Sequence, residues 1–167
     1  MEPLNTNITR GFRIRNVKAA DIGDLIRIGE ESNLSSWSAN SYLDELKNPD
    51  AIMLRLVSDE NETAGFVVGR FVIGGEIDIE YYAEIYNIAI RSTIRGKGFG
   101  QLLFDAFREK CLLRNASNIW LEVRESNDHA IGFYEKNGFE RMQTRSHFYD
   151  NPREHAILMK LSLAGSR

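Results

Sequence analysis

The sequence predicts a mixed α/β domain of the α+β type, with a mostly antiparallel central sheet of six to seven strands and helices on both faces. Three observations support this prediction. The chain has 167 residues, 43% of them hydrophobic and 27% charged, so we expect one folded domain over 1–167. Strand-like segments dominate the first half. A strand–helix–strand–helix–strand order then follows, which is typical of sheets covered by helices.

The first half of the chain combines two helical patterns with four strand patterns. Apolar residues at helical spacing predict helices over 21–31 and 38–47. Alternating or continuous apolar runs predict strands over 12–17, 51–58, 63–73 and 77–90. Ser38 is a suitable N-cap for the second helix, and Asn48-Pro49 can end it.

The second half alternates helices and strands. Apolar residues at i, i+3 and i+4 between Phe99 and Phe107 predict a helix over about 99–114. The remaining predicted elements are a strand over 118–124, a helix over about 127–137, and strands over 139–144 and 155–162. Asn137-Gly138 suits a helix end, because glycine tolerates the left-handed conformation found there.

Cysteine and histidine usage argues against a metal site. Cys111 is the single cysteine, which excludes an internal disulfide framework and a multi-cysteine metal site. We expect it to be a small core residue. The three histidines, His129, His147 and His155, lack the spacing of known ligand motifs. We therefore expect no metal.

Composition also limits the classes of partner that we expect for this protein. No apolar run approaches the roughly 18 residues of a membrane span, and the N-terminal segment has no apolar signal region. We therefore expect a cytoplasmic protein with no membrane partner. The net charge of −3 argues against direct nucleic-acid binding. A local basic cluster would still suit a small anionic ligand.

The connection over 91–100 is such a cluster, and it lies between a strand and a helix. Its glycines remove side chains where backbone N–H groups can converge on an anion, and the helix directs its positive dipole end to the same place. The glycines are Gly96, Gly98 and Gly100, and the basic residues are Arg91, Arg95 and Lys97. These features predict a bound pyrophosphate.

Other nucleotide loops fit less well. The chain has no GxxxxGK[ST] phosphate loop, and in a GxGxxG reading Gln101 or Leu103 replaces the third glycine. Glu122, at the end of the next strand, is the one feature in favour of a dinucleotide site. A glycine-rich turn without a ligand is the plain alternative.

A family resemblance favours a different ligand. Arg95-x-x-Gly98-x-Gly100, after a strand that ends Asn87-Ile88-Ala89-Ile90, resembles the acyl-CoA loop of the GNAT N-acetyltransferase superfamily. Two longer stretches, 121–127 and 130–139, are similar to its RimI-like branch, which acetylates protein N-terminal amines. Weaker similarity to this branch extends over about 36–160, at Ser36-Trp37-Ser38, Arg145-x-x-Phe148-Tyr149 and His155-Ala156-Ile157-x-Met159.

The resemblance implies the GNAT fold and acetyl-CoA as co-substrate. It assigns the pantetheine arm to the backbone of Ile88, Ala89 and Ile90. It assigns the pyrophosphate to the backbone of Arg95, Gly96, Lys97, Gly98, Phe99, Gly100 and Gln101. Asn127 would contact the coenzyme from the start of the next helix. Tyr134, two helical turns further along the same face, would reach the sulfur.

Acyl transfer to an amine needs a base for the attacking nitrogen and an acid for the departing thiolate. Glu122 matches the proposed base of the RimI-like branch, whereas Glu84 lies where histone-type members of the superfamily place theirs. We favour Glu122, with Glu84 or a shared water chain as alternatives. Tyr134 is the candidate acid. Surface carboxylates and a core tyrosine are the plain alternatives for these residues.

The acceptor side is less defined by the sequence. Trp37, Phe148 and Tyr149 are expected in loops that flank the acceptor groove, as in RimI-like enzymes. The acids Glu76, Asp78, Glu80 and Glu84 form either a mouth that attracts a cationic peptide terminus or one solvated edge of a hairpin, and the second interpretation is favoured.

The predicted function is therefore transfer of an acetyl group from acetyl-CoA to a protein or peptide N-terminal α-amine, which in RimI-like enzymes is the alanine of a ribosomal protein. The enzyme is expected to be a monomer or homodimer. Two alternatives stay open: a lysine or small-molecule amine acetyltransferase, and a non-catalytic acyl-CoA-binding sensor.

Overall fold

A computed structural model of the protein describes residues 11–34 and 37–163. Its strands are β1 Phe12–Asn16, β2 Ala51–Ser58, β3 Thr63–Gly74, β4 Glu80–Ile90, β5 Asn118–Arg124, β6 Glu140–Asp150 and β7 Arg153–Ser162. Its helices are α1 Ile22–Glu31, α2 Ala39–Leu46, α3 Phe99–Leu113 and α4 Asp128–Lys136, with single 3-10 turns at Ala19–Asp21 and Ser92–Ile94.

In the described part of the chain, seven strands form one sheet in the order β1-β2-β3-β4-β5-β7-β6. The neighbours β4 and β5 run parallel. Antiparallel pairing joins β1 to β2, β2 to β3, β5 to β7, and β6 to β7. The predicted mixed, mostly antiparallel sheet is confirmed.

Two predicted strands differ from the structure by three or more residues at one end. β4 begins at Glu80 instead of residue 77, because residues 75–79 form a tight turn in which Gly75 has a φ of +100° and a Cβ would collide with the Asp78 carbonyl. β6 continues to Asp150 instead of ending at 144. Its pairing with β7 shifts register twice, so the period-two pattern that marks a strand is broken.

The described chain divides into two compact units. The first comprises the residues up to Arg70 together with Asn87–Lys110. Its centre contains completely buried side chains from two helices and two strands: Leu25, Leu54, Leu56, Phe66, Val67, Leu103, Phe104 and Phe107. Ser38 caps α2 as predicted, since its Oγ accepts a hydrogen bond from the N–H of Ser41 at 3.1 Å.

The second unit comprises Phe71–Tyr86 and the residues from Cys111 onward. Ile119, Ala156 and Met159 are completely buried in it. Cys111 is also buried, and burial raises the pKa of its thiol to about 12. It is therefore a protonated core residue at neutral pH, as the sequence predicted. Gly138, with a φ of +92°, ends α4.

The longest helix of the described ranges, α3, has 15 residues, and none of the helices there has the length and apolar character needed to cross a membrane. Over the same residues, no three His, Cys, Asp or Glu side chains converge in a group that could hold a metal ion.

Candidate active site

The glycine-rich connection over 91–100, called the cradle below, lies in the first unit and contains two glycines in the left-handed conformation. Gly96 and Gly98 have φ values of +76° and +86°, and a Cβ added at either position would have no atom within 4 Å. Glycine is therefore needed at both positions for the backbone conformation rather than to relieve crowding. Backbone N–H groups can converge on an anion where right-handed and left-handed residues alternate, and the glycines at 96 and 98 supply the left-handed conformation.

The N-terminus of α3 directly follows this cradle. Phe99 is buried, and its ring lies 4.5 Å from that of Phe12, so the first turn of the helix is anchored in the core. The Gly98 carbonyl accepts a hydrogen bond from the N–H of Leu102 at 3.2 Å. The first N–H groups of a helix have no partner within the helix and carry its positive dipole end. Cradle and helix end together fit a pyrophosphate.

The Arg95 side chain has a structural role that the sequence did not predict. Arg95 turns back, so that its Nε donates to the Ile90 carbonyl at 3.0 Å and its guanidinium donates to Ser32 Oγ at 3.0 Å. Glu31 accepts a hydrogen bond from the Ser92 N–H, and this bond lowers the pKa of its carboxyl. The Arg95 side chain therefore braces the loop against the end of α1. Lys97 is exposed.

The end of β4 leads into this loop. The β4–β5 ladder runs from Tyr82 opposite Asn118 to Ile85 opposite Leu121, whereas β4 itself continues to Ile90. On the β3 side the approach is close: a Cβ on Gly65 would lie 2.6 Å from Ile90 Cδ1 and 2.9 Å from the Ala89 carbonyl. The predicted pantetheine-binding residues thus belong to a part of β4 that extends beyond its parallel ladder.

In the second unit, the two candidate bases lie on neighbouring strands. Glu84 is on β4 and Glu122 is on β5, whose outward residues alternate with buried ones as the sequence predicted. The Glu122 side chain is 25% exposed, and its Oε1 lies 2.7 Å from a guanidinium nitrogen of Arg145. Burial raises the pKa of Glu122, the charge of Arg145 opposes this shift, and the charge of Glu84 adds to it.

Tyr134, the candidate acid, is a buried residue of α4. It is 7% exposed, and its ring contacts those of Phe133 and Phe139 edge to face. Burial raises the pKa of this phenol well above its ordinary value, with a smaller contribution from Tyr149. The pKa of Tyr149 is in turn raised by burial and by Glu122. The structure therefore brings Tyr134, Tyr149 and Glu122 into one interacting group.

Residues 22–139 match the model of a family described as "Acetyltransferase (GNAT) family", which is well over half of the chain. The chain belongs to this family. The predictions of an acetyltransferase and of the GNAT fold are confirmed.

Named relatives of this acetyltransferase include the ribosomal protein bS18-alanine N-acetyltransferase of Haemophilus influenzae, which is 33% identical over 152 residues, with 87% of this chain and 95% of that protein covered. The crystal structure of the ribosomal-protein-S18-alanine N-acetyltransferase from Escherichia coli superimposes with a TM-score of 0.78 at 25% identity, over 91% of this chain and 94% of that chain. The resemblance to the RimI-like branch is thus confirmed.

A more distant neighbour has the same fold and carries the coenzyme. The structure of Arabidopsis thaliana NAA60 in complex with acetyl-CoA has a TM-score of 0.79 at 17% identity, over 91% of this acetyltransferase and 99% of that chain.

Some acceptor-side predictions need correction in this GNAT chain. Phe148 and Tyr149 were expected in loops but belong to β6, where the register shift between Arg145 and Tyr149 hides the strand pattern. Trp37 precedes α2 as predicted, and its ring lies 5.2 Å from that of Tyr42. Ser36 lies outside the described residues.

The acidic run separates into two environments. Glu76 and Asp78 lie in the exposed turn before β4, and Glu80 is exposed at its first position. Only Glu84 interacts with Glu122. The solvated hairpin edge, which the sequence favoured, therefore describes the first three acids.

Asn127 has a structural role at the start of α4, and Arg124, the last residue of β5, has one against the β6–β7 hairpin. Asn127 Oδ1 accepts a hydrogen bond from the Ala130 N–H at 3.2 Å and so caps the helix. Arg124 stacks 4.2 Å from the Tyr149 ring centre and donates to the Pro152 carbonyl at 3.1 Å. The sequence analysis gave neither Arg124 nor Arg145 a role at the candidate site. Period-two alternation places Arg124 on the same face of β5 as Glu122, and Arg145 lies in a stretch of family similarity.

Proposed function

We propose that this acetyltransferase transfers the acetyl group of acetyl-CoA directly to the N-terminal α-amine of a protein or peptide, with Glu122 as base and Tyr134 as acid. One observation carries the proposal: a partly buried carboxylate with a raised pKa interacts with a tyrosine pair that includes a buried, protonated phenol. The Haemophilus influenzae relative, an N-acetyltransferase of an alanine in bS18, supports the α-amine as acceptor.

The coenzyme would be held largely by backbone groups. The N–H groups from Arg95 to Gln101 would bind its pyrophosphate, and the backbone of Ile88, Ala89 and Ile90 would pair with the amides of its pantetheine arm. The Ile90 carbonyl already accepts from Arg95, so we assign more of this pairing to Ile88 and Ala89. Asn127 is a further candidate contact. When bound, acetyl-CoA supplies an activated thioester carbonyl.

Glu122 would take the proton that the attacking nitrogen loses as the C–N bond forms. An α-amine has a pKa of about 7.7–8.0 and is partly neutral at pH 7, whereas a lysine side chain near 10.4 is not. The base therefore needs to supply only modest help. Burial makes the Glu122 carboxylate more basic than an exposed glutamate, and this favours proton uptake.

Tyr134 would donate to the sulfur as the carbon–sulfur bond breaks. Its raised pKa keeps the phenol protonated at physiological pH, so the donor is always present. A free thiol has a pKa of about 8.5, which is below that of this phenol. The main contribution of Tyr134 is thus a hydrogen bond that stabilises the departing thiolate until its proton is restored. Cys111 is buried and protonated, which disfavours an acyl-cysteine route.

A matched peptide set tests the proposal. One peptide begins with a free alanine amine and contains an internal lysine, and its partner differs only in an N-formyl group. We expect thiol release from acetyl-CoA with the free peptide only, and mass spectrometry should locate the acetyl group on the α-nitrogen. Equal rates with both peptides, or faster reaction with polyamines, would indicate a lysine or small-amine enzyme. Coenzyme binding without thiol release for any amine would indicate a sensor.

A further inference from the structure

Arg145 reaches Glu122 across an intervening strand. The sheet order is β5-β7-β6, so Arg145 on β6 and Glu122 on β5 are separated by β7, yet their charged atoms are 2.7 Å apart. On β7, Ala156 is the paired residue of Arg145 and Leu158 that of Glu122. The short side chain of Ala156 leaves room for the guanidinium to extend over the strand.

We propose that Arg145 is a positioning residue for the catalytic base: it holds Oε1 of Glu122 and maintains the ionised carboxylate whose other oxygen accepts the amine proton. This inference rests on the function proposed above. Arg145 itself is 46% exposed in its side chain and is not assigned a contact with the reacting atoms.

The charges around Glu122 show why this pair matters. Glu84 faces it from β4, Tyr149 faces it from β6, and Arg124 follows it on the same face of β5. From β7, Glu154 pairs with Arg124 at 3.4 Å, and Lys160 lies over the Trp120 ring. Arg124 is thus engaged by Glu154 and by backbone carbonyls, which leaves Arg145 to balance the Glu122 charge.

Removal of Arg145 would leave Glu122 partly buried beside a second carboxylate. Both conditions favour the protonated carboxyl, which cannot accept a proton from the amine. Burial and Glu84 already raise the pKa of Glu122, and Arg145 is the group that opposes them.

The local structure holds Arg145 in place. Its guanidinium lies 5.8 Å from the Phe148 ring centre. The second register shift of β6 begins at Arg145, and this segment is fixed to β7, since the N–H of His147 donates to Nδ1 of His155 at 3.0 Å. The position of Arg145 therefore depends on the backbone path of this hairpin.

The test is the pH profile of kcat/KM for Arg145→Gln, calculated on the neutral fraction of the peptide α-amine, because this amine itself titrates at about 7.7–8.0. We expect the acidic limb of the profile to move to higher pH by about one unit, the lower end of the shift that an adjacent opposite charge produces. At pH values below the wild-type limb, kcat/KM should fall roughly tenfold. On the alkaline plateau it should fall much less. Arg145→Lys should restore most of the limb position. Thermal unfolding of each variant shows whether the fold is retained.

Arg141→Gln is the matched control. Arg141 lies on the same strand and also forms an ion pair, with its Nε 2.8 Å from Glu135 Oε1. This change removes the same charge from β6 without altering the Glu122 pair, so the limb should stay at its wild-type position. An equal displacement in this variant would overturn the proposal, because it would indicate a general charge effect.

A second measurement needs no turnover. A ¹³C NMR titration of the Glu122 carboxyl, assigned by its absence in Glu122→Gln, should show a higher pKa in Arg145→Gln than in the wild type. An unchanged Glu122 titration, or a rate that falls equally at every pH, would overturn the role of Arg145 but leave the proposed function intact. If Glu122→Gln keeps the wild-type rate and limb, the base assignment fails, and this inference fails with it.

Discussion

The hydroxyl of Tyr86 donates a hydrogen bond to Oε2 of Glu84 at 2.8 Å, two residues back along the same strand. The two candidate bases thus have different partners, since Glu84 accepts from a neutral phenol and Glu122 contacts a guanidinium. Burial, the main cause of the raised Glu122 pKa, makes Glu122 a stronger base than an exposed glutamate. This difference can be tested residue by residue.

Glu122→Gln should lower kcat/KM by roughly 10²–10⁴-fold, the usual contribution of a general base. When kcat/KM is calculated on the neutral fraction of the peptide α-amine, which titrates at about 7.7–8.0, the acidic limb that remains should disappear, because the enzyme group that titrates there is removed. Steady-state kinetics with a peptide acceptor between pH 5.5 and 9.5 checks this. A preserved limb would exclude Glu122 as the base.

Glu84→Gln should have a smaller effect and move the acidic limb the other way. The negative charge of Glu84 raises the pKa of Glu122, so its removal lowers that pKa and extends activity to lower pH. The same kinetic profile measures the displacement. A loss as large as that of Glu122→Gln, without the displacement, would assign the base to Glu84.

Tyr134→Phe should lower turnover by about one to two orders of magnitude, with little change in coenzyme affinity, because only the proton donor is removed. Single-turnover kinetics and calorimetry with coenzyme A measure the two quantities. Tyr42→Phe is the control. Tyr42 is also buried, and burial raises its pKa to about 12, but it does not belong to the interacting group of Tyr134, Tyr149 and Glu122. An unchanged rate in Tyr134→Phe would remove this residue from the mechanism.

Gly96→Ala should weaken coenzyme binding. The left-handed conformation costs a non-glycine residue about 1–2 kcal/mol, which corresponds to roughly 5- to 30-fold in Kd if the strain is imposed on binding. Gly132→Ala is the control, because Gly132 is an uncrowded position within α4 at which alanine should stabilise the helix. Calorimetry with coenzyme A distinguishes them, and equal affinities would mean that the cradle is not the binding loop.

His155→Leu should raise the acceptor KM and also lower kcat, because the hairpin that it loosens carries the acceptor-side aromatic residues together with Arg145. The substitution removes the acceptor of the His147 N–H and so loosens the hairpin that carries Phe148 and Tyr149. Such a hydrogen bond contributes about 0.5–1.5 kcal/mol. This energy corresponds to a roughly 2- to 10-fold change in the acceptor KM. His155→Asn retains an acceptor near the same place and should retain the KM. Identical constants for the two variants would show that this bond has no influence on the acceptor.

Elements with local chemical signals were predicted well. The Ser38 cap, the Asn137-Gly138 stop and the outward position of Glu122 depend on residues close to them in sequence, and all three are present in the structure. The buried face of α3 was only partly predicted. Phe99 and Phe107 are buried as expected, but Phe104 is more buried than Leu102 because tertiary packing decides which residues face the core.

The ion pair of Glu122 could not be predicted from the sequence. It depends on the register of β6 on β7, which shifts twice, and on a side chain that crosses a strand. Neither feature leaves a periodic signal. The role of Arg95 was hidden for a similar reason, since its partner Ser32 is 63 residues away along the chain.

Among the strands that the structure describes, β6 is the last in the sheet order, so its eleven residues lie at the edge of the sheet. Such an edge can template strand addition from another molecule, and natural proteins counter this with charges and bulges. The register shifts, the left-handed His147 and the arginines at 141 and 145 meet that need in this chain. We therefore expect that uncharged replacements at both arginines would make this edge of the sheet more prone to pair with other molecules.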